Sequence, residues 1–332
     1  MPFSSPVSVR KPGFVISIGF LQPQRLFAMK HLKSLFDLTP ADVVDILEKA
    51  KSLKEKLATG ERSPLLSNYM MTQIYDKPSL RTRLSFDTAM VHLGGESAFF
   101  TGKDAGLNGR ESLPDVVRVA SRICDVIVLR TFSQQTVEEF CEWSSCPVIN
   151  GLTDEYHPCQ ALTDMFTIRE VFGSLNDEHV VFVGDGNNVS ASLTIITAML
   201  ELPFTLCCPP GYELTDEFHA GVRERYPNAN FTLSHNPAEA VASADVVYTD
   251  VWASMGQESE ADTRQQDFAE YQVNAELMSH APDGCRFMHD LPAKRGLEVT
   301  DEVMDGPNSI VFQQAENRMH LAKGLLAWIL DA

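Results

Sequence analysis

The chain has 332 residues, 44% of them hydrophobic and 22% charged, with a formal net charge of −18. That length suits two α/β domains of a globular protein. The acidic balance argues against a general nucleic-acid binder, so any anion site must be a local basic pocket; no apolar run approaches a membrane span.

Residues 1–29 read as an N-terminal extension. The first 30 residues contain Arg10, Lys11, Arg25 and Lys30 and no acid. Such a composition has the flavour of a transit peptide; the reading adopted is a disordered extension, or a start upstream of Met29. Folded sequence begins near Lys30. "LTPADVVDILEKAKSLKEKL" is a helix with Thr39 as N-cap and Pro40 at its first position. "YMMTQIYD" is a buried strand, and "RTRLSFDTAMVHLGG" a helix closed by Gly94. Then come strand "SAFFT", helix "SLPDVVRVASRI", strand "DVIVLR", helix "TVEEFCEWS" and strand "PVIN". A long helix runs from about His157 to Phe172, after which the alternation restarts. Its strands are "HVVFVGD", "FTLCC", "NFTLS", "DVVYTD" and "CRFMHD", with Gln257–Gln272 a long polar loop. The last helix is "AENRMHLAKGLLAWIL".

Strands alternating with helices imply mostly parallel sheets covered on both faces. The expected architecture is therefore two doubly wound α/β domains with a cleft between them. One spans residues 30–150 and takes in the last helix, about 318–331; the other spans 151–317. The seven cysteines include no C-x-x-C pair, which suggests reduced thiols in a cytosol-like compartment, with Cys207 and Cys208 in a strand.

Ligands of such sheets sit beyond the carboxyl ends of strands. Ser79, Arg81 and Arg83 stand where a strand gives way to a helix, whose N-terminal N–H groups favour an anion. An N-cap serine with two surface arginines fits the same pattern. Arg130 closes a buried strand, facing a cleft or a rim carboxylate. His157, before Pro158, caps a helix with Gln160 about one turn inside, a pairing suited to a carbonyl and an amide. "FVGDGNNVSASL" has Val189 where a dinucleotide fingerprint needs its third glycine, and Asn187 and Asn188 suit a small polar ligand better. Asp250 and Asp290 end two later strands and suit an ammonium group. Arg318 begins the last helix. Anion donors thus gather in the first half and cation acceptors in the second.

With "SLRTR", "HPCQ", "DVWASMG", "HDLP" and "AENR" in this order, the sequence from Lys30 onward resembles the aspartate/ornithine carbamoyltransferase superfamily, most closely its ornithine branch. The resemblance implies that Ser79, Leu80, Arg81, Thr82 and Arg83 form a carbamoyl phosphate loop. It implies that Arg130 and His157 polarise the carbamoyl carbonyl, that Gln160 holds its amide nitrogen, and that Arg318 contacts the donor or the carbonyl oxygen. Asn188, Asp250, Ser254 and Met255 would hold ornithine, with Asp290 and Leu291 beside them; Asp290 would join Arg130, His157 and Arg318 in catalysis. Members use no metal or organic cofactor and are usually homotrimers. Putrescine or an N-acylated ornithine are rival acceptors, and a non-catalytic binding subunit is the rival from another class. Two departures stand out. The family usually has Cys where this chain has Asp290, and relatives carry a Gln or His near Gly106, where Asn108 and Arg110 are the polar neighbours here.

Overall fold

The computed structural model describes residues 29–332 except Asn108, Met255 and the side chain of Glu258. The extension up to residue 28, the candidate ornithine contact Met255 and Asn108 therefore lie outside the described residues.

The first half runs α1 (Pro40–Ala58), β1 (Met70–Tyr75), α2 (Leu80–His92), β2 (Glu96–Thr101), α3 (Leu113–Ala120), β3 (Val126–Arg130), α4 (Gln134–Trp143), β4 (Val148–Leu152) and α5 (Pro158–Phe172). The second runs β5 (Val180–Val183), α6 (Asn188–Met199), β6 (Phe204–Cys207), α7 (Asp216–Arg225), β7 (Phe231–Ser234), α8 (Pro237–Val241), β8 (Val246–Thr249), α9 (Ala261–Asp267), α10 (Ala275–Met278), β9 (Arg286–His289), α11 (Asp301–Met304) and α12 (Val311–Ile329). Two parallel sheets result, ordered β2-β1-β3-β4 and β7-β6-β5-β8-β9. This is the expected pair of parallel α/β sheets.

Local chemistry sets the helix starts. Thr39 accepts from the Asp42 N–H while Asp42 reaches back to the Thr39 N–H, forming a capping box. Ser79 caps α2 by accepting from the Thr82 N–H at 3.1 Å. α5 and α6 are buried almost all round, and several of their buried Ser and Thr hydroxyls donate back to helix carbonyl oxygens. α12 returns across the molecule to pack on α1, α2 and α5. Gly324 permits that approach: a Cβ there would lie 2.6 Å from the Ile46 carbonyl oxygen and 2.7 Å from the Ala50 nitrogen.

Two local expectations are corrected. The segment Gln257–Gln272 is not a long loop; it contains α9 between 3-10 turns Glu258–Glu260 and Ala269–Tyr271. Its helicity is carried by charge rather than apolar periodicity. Arg264 pairs with Glu260 one turn earlier at 3.0 Å and is buried against Asp185 at 2.7 Å and the Trp252 carbonyl oxygen at 3.0 Å. The last helix begins at Val311, four residues before Ala315, because the buried Val311 and Gln314 extend its inward face.

Each sheet reverses strand order once, between β1 and β3 and between β5 and β8, and a crevice opens at such a point. Register then decides which residues meet there. Tyr75 is level with Arg130, so the turn after β1 starts beside Arg130. Thr249 is level with His289, so Asp250 and Asp290 emerge side by side.

Candidate active site

A cleft of about 1140 Å³ opens between the two sheets. Of the residues singled out above, Ser79, Leu80, Arg81, Thr82, Arg130, His157, Asn188, Asp250, Ser254, Asp290, Leu291 and Arg318 line it. Arg83 and Gln160 do not. Arg83 lies on another side of α2, 3.5 Å from Asp87 and with its guanidinium 3.8 Å over the Phe99 ring. Gln160 is fully buried behind Arg318. Arg110 is exposed and paired with Glu111 at 3.0 Å.

One wall is cationic. The Thr82 hydroxyl accepts from Arg130 Nη1 at 3.3 Å and from Arg318 Nη2 at 3.0 Å, so one oxygen holds two guanidiniums. Burial, and repulsion from Arg318 and Arg81, push the Arg130 pKa down to about 10. Arg81 is shifted down by burial and Arg318, with Asp290 and Asp250 opposing. Both stay charged at neutral pH, and mutual repulsion makes this wall a receptor for an anion. The Arg130 Nε is buried without a partner among the described residues. His157 is 2% exposed, and its backbone N–H donates to Ser192 Oγ at 2.8 Å. Burial, with Arg318, Arg130 and Arg81 around it, holds its pKa well below 6.5. It therefore offers a neutral imidazole, and its Nδ1 is unpartnered among the described residues.

The opposite wall carries carboxylates. Asp250 accepts from Asn187 Nδ2 at 2.9 Å and from the Val251 N–H at 2.6 Å. Asn187 also caps α6, accepting from the Val189 and Ser190 N–H groups at 2.9 and 3.1 Å. Asn188 Nδ2 is committed to the Thr153 carbonyl oxygen at 2.6 Å. Burial and Asp290 push Asp250 well above the ordinary carboxylate range. Burial raises Asp290 too, but His289, the hydrogen bond with Asp250 and Arg318 outweigh it and keep its pKa low. The two carboxyls are thus pushed apart, Asp250 toward its protonated form and Asp290 toward its charged form.

Asp250, His289 and Asp290 have ligand atoms within 4.8 Å of one another. They do not fit a metal ion: His289 Nδ1 accepts from the Leu291 N–H at 2.9 Å and Nε2 faces Glu298 at 3.2 Å, so neither nitrogen is free. Asp290 and Glu298 overcome burial and pull the His289 pKa up to about 9. The Leu291 bond opposes that protonation, because it needs a lone pair on Nδ1, and it favours the Nε2–H tautomer. The turn that presents Leu291 holds it at φ 61°.

The carbamoyl-P binding domain of the aspartate/ornithine carbamoyltransferase family matches residues 30–170, and the family's Asp/Orn binding domain matches residues 176–329. The chain belongs to the aspartate/ornithine carbamoyltransferase family. Among carbamoyltransferase relatives, an ornithine carbamoyltransferase of Pyrococcus abyssi is 45% identical over 303 residues, covering 91% of this chain and 96% of that protein. One of Bacillus subtilis is 45% identical over 304 residues, covering 91% and 94%. The solved ornithine carbamoyltransferase of Pyrococcus furiosus superposes with a TM-score of 0.88 at 44% identity, covering 92% of this chain and 98% of that one. That of Thermus thermophilus gives 0.82 at 38% identity, covering 92% and 100%.

Several cleft residues escaped the family motifs. Lys77 is buried, pairs with Asp154 and lies 4.6 Å over the Phe132 ring. Its only signal in sequence was its position just before Pro78 and Ser79. Asp185 and Arg264 also line the cleft, and nothing local marks their pairing across 79 positions.

Proposed function

We propose that this chain transfers the carbamoyl group of carbamoyl phosphate to the δ-amine of L-ornithine, giving L-citrulline and phosphate. The observation that carries this reading is one cleft with Arg81, Arg130 and Arg318 on one side and the Asp250–Asp290 pair on the other. The first wall suits a doubly charged acyl phosphate, the second an ammonium group. The names of the relatives support the same substrates.

In the proposed mechanism the phosphate sits on the first N–H groups of α2, with Ser79 and Arg81. Arg130, Arg318 and the neutral His157 direct donors at the carbamoyl carbonyl oxygen, where negative charge grows as the amine attacks. Gln160, which lies behind Arg318 and off the cleft lining, is assigned the carbamoyl NH2 group from the family resemblance, its Oε1 accepting from that group once Arg318 turns toward the carbonyl oxygen. Asn188, Asp250, Ser254, Met255 and Leu291 seat ornithine, and Asp290 faces its δ-ammonium. That amine, with a pKa of roughly 10.4 in water, must first lose a proton. Solvent takes that first proton; as the new N–C bond forms the nitrogen gives up a second, the C–O bond to phosphate breaks, and phosphate leaves with the electron pair and that second proton while Asp290 holds the amine in place. We also propose a homotrimer acting in arginine synthesis in the cytoplasm. Arg83 is left without a direct contact to the donor.

The pure protein is incubated with carbamoyl phosphate and, separately, ornithine, putrescine, N-acetylornithine and N-succinylornithine, and phosphate and ureido product are measured. Citrulline from ornithine, with little product from the others, is the expected result. Binding of carbamoyl phosphate without turnover on any amine points instead to a binding subunit.

A further inference from the structure

Asp164 is fully buried on α5, one turn beyond Gln160, and touches no part of the cleft. Its Oδ1 accepts two side-chain amides: Gln160 Nε2 at 2.8 Å and Gln314 Nε2 at 2.7 Å. Its Oδ2 is buried without a partner among the described residues. The two amides depend on it unequally. Gln314 has other anchors, since its Nε2 also donates to the Tyr248 hydroxyl at 3.0 Å and its Oε1 accepts from the His289 N–H at 3.0 Å. Gln160 Nε2 has Asp164 alone among the described residues.

An amide side chain is nearly symmetric in shape and opposite in chemistry at its two ends. With Nε2 turned down onto Asp164, Gln160 must turn Oε1 up, where it accepts from Arg318 Nη1. That oxygen has a second lone pair for a further donor. We propose that Asp164 is a positioning residue that fixes the Gln160 amide with its oxygen toward the donor site, and so makes the enzyme prefer an acyl phosphate bearing an NH2 group over one bearing CH3. The inference rests on the carbamoyl transfer reading above. Without the carboxyl, a buried Nε2 with no acceptor drives the amide to turn over. It would then present N–H to the carbamoyl NH2 and to Arg318, donor against donor. A methyl group in the same position has no hydrogen bond to lose, so its affinity should change little. A site built to receive an N–H discriminates in this way against the analogue that lacks one.

The test measures dissociation constants of carbamoyl phosphate and acetyl phosphate by calorimetry for the wild type and a set of variants, with melting temperature as a check on folding. Asp164→Leu keeps the branched shape and removes the acceptor; Asp164→Ala serves if the leucine variant does not fold. Asp164→Asn keeps an acceptor oxygen in the same place. The wild type is expected to favour carbamoyl phosphate, and Asp164→Leu to shrink that preference by about tenfold or more, mainly through weaker carbamoyl phosphate binding. Asp164→Asn should restore most of the preference. Adding Gln160→Leu to Asp164→Leu should shrink it no further, because both changes remove one interaction. A lowered melting temperature with an unchanged preference would overturn the proposal and leave Asp164 a packing residue. A wild type that does not distinguish the two ligands would overturn it as well. Failure of the wild type to bind carbamoyl phosphate at all would instead sink the function itself.

Discussion

Arg318 on the last helix donates to the hydroxyl of Thr82 on the helix after β1 at 3.0 Å, joining residues 236 positions apart. The same oxygen receives Arg130 from the end of β3. Three separate elements thus converge on one small side chain, and the cationic wall depends on it.

Thr82→Val keeps the shape of that side chain and removes its acceptor. Two buried guanidiniums then lose a partner and repel each other with nothing between them. We expect kcat/KM for carbamoyl phosphate to fall about tenfold or more, with an effect on ornithine KM of less than about threefold. Steady-state kinetics with each substrate varied in turn decides it.

Arg130→Ala removes a charged donor aimed at the proposed carbonyl site. Loss of such a donor raises a barrier by roughly 3–4 kcal/mol, a hundredfold or more in turnover. Near-normal kcat in this variant, with a folded protein confirmed by circular dichroism, would reject the assignment.

Asp290→Asn removes the negative charge of the carboxylate pair. Ornithine KM should rise about tenfold, the scale of a lost charge-assisted contact. Carbamoyl phosphate should bind as well or more tightly, since Asp290 faces Arg81 and Arg130 and now stops opposing an incoming anion. Equal weakening of both substrates would point to general damage of the site.

Burial raises the Asp164 pKa to about 7, with Gln160 and Gln314 opposing and Asp290 adding to the rise. An unfolded aspartate titrates near 3.9. Between those values the folded protein holds a proton that the unfolded chain has released, so stability falls as pH rises from about 4 to about 7. Asp164→Asn removes this slope. Relative to the wild type, the variant should gain up to about 4 kcal/mol across that window. Urea unfolding at pH 5 and pH 8 measures the difference, and a gap of constant size would contradict it.

Gly324→Ala forces a methyl group to within 2.6–2.7 Å of the α1 backbone atoms of Ile46 and Ala50. Backbone cannot swing aside as a side-chain tip can, so α12 must shift. A loss of about 1–3 kcal/mol is expected, read from the urea midpoint.

Much of this was legible in one dimension because its causes are local. Alternating apolar runs and helical periodicities forecast parallel sheets, and Thr39, Pro40, Ser79 and Gly94 marked helix ends through backbone chemistry that spans a few residues. The strand-end location of Arg130, Asp250 and Asp290 could be read for the same reason. Arg81 and Arg83 could not be told apart this way. Successive helical positions turn by about 100°, so only one of the two faces the cleft, and the side of α2 packed on its sheet chooses Arg81. The hidden helix α9 rests on Arg264 reaching Asp185, a contact no window of local sequence contains.

From its order of residues alone, this protein determined its alternation of strands and helices, and with it the strand ends where ligands gather. Only the folded chain decided which of those ends share a cleft. Strand register brought Asp250 beside Asp290, and the return of α12 brought Arg318 to Thr82 and Gln160. Backbone propensity acts over a few residues, whereas charge pairing and close packing act between surfaces that exist only after the chain has closed on itself.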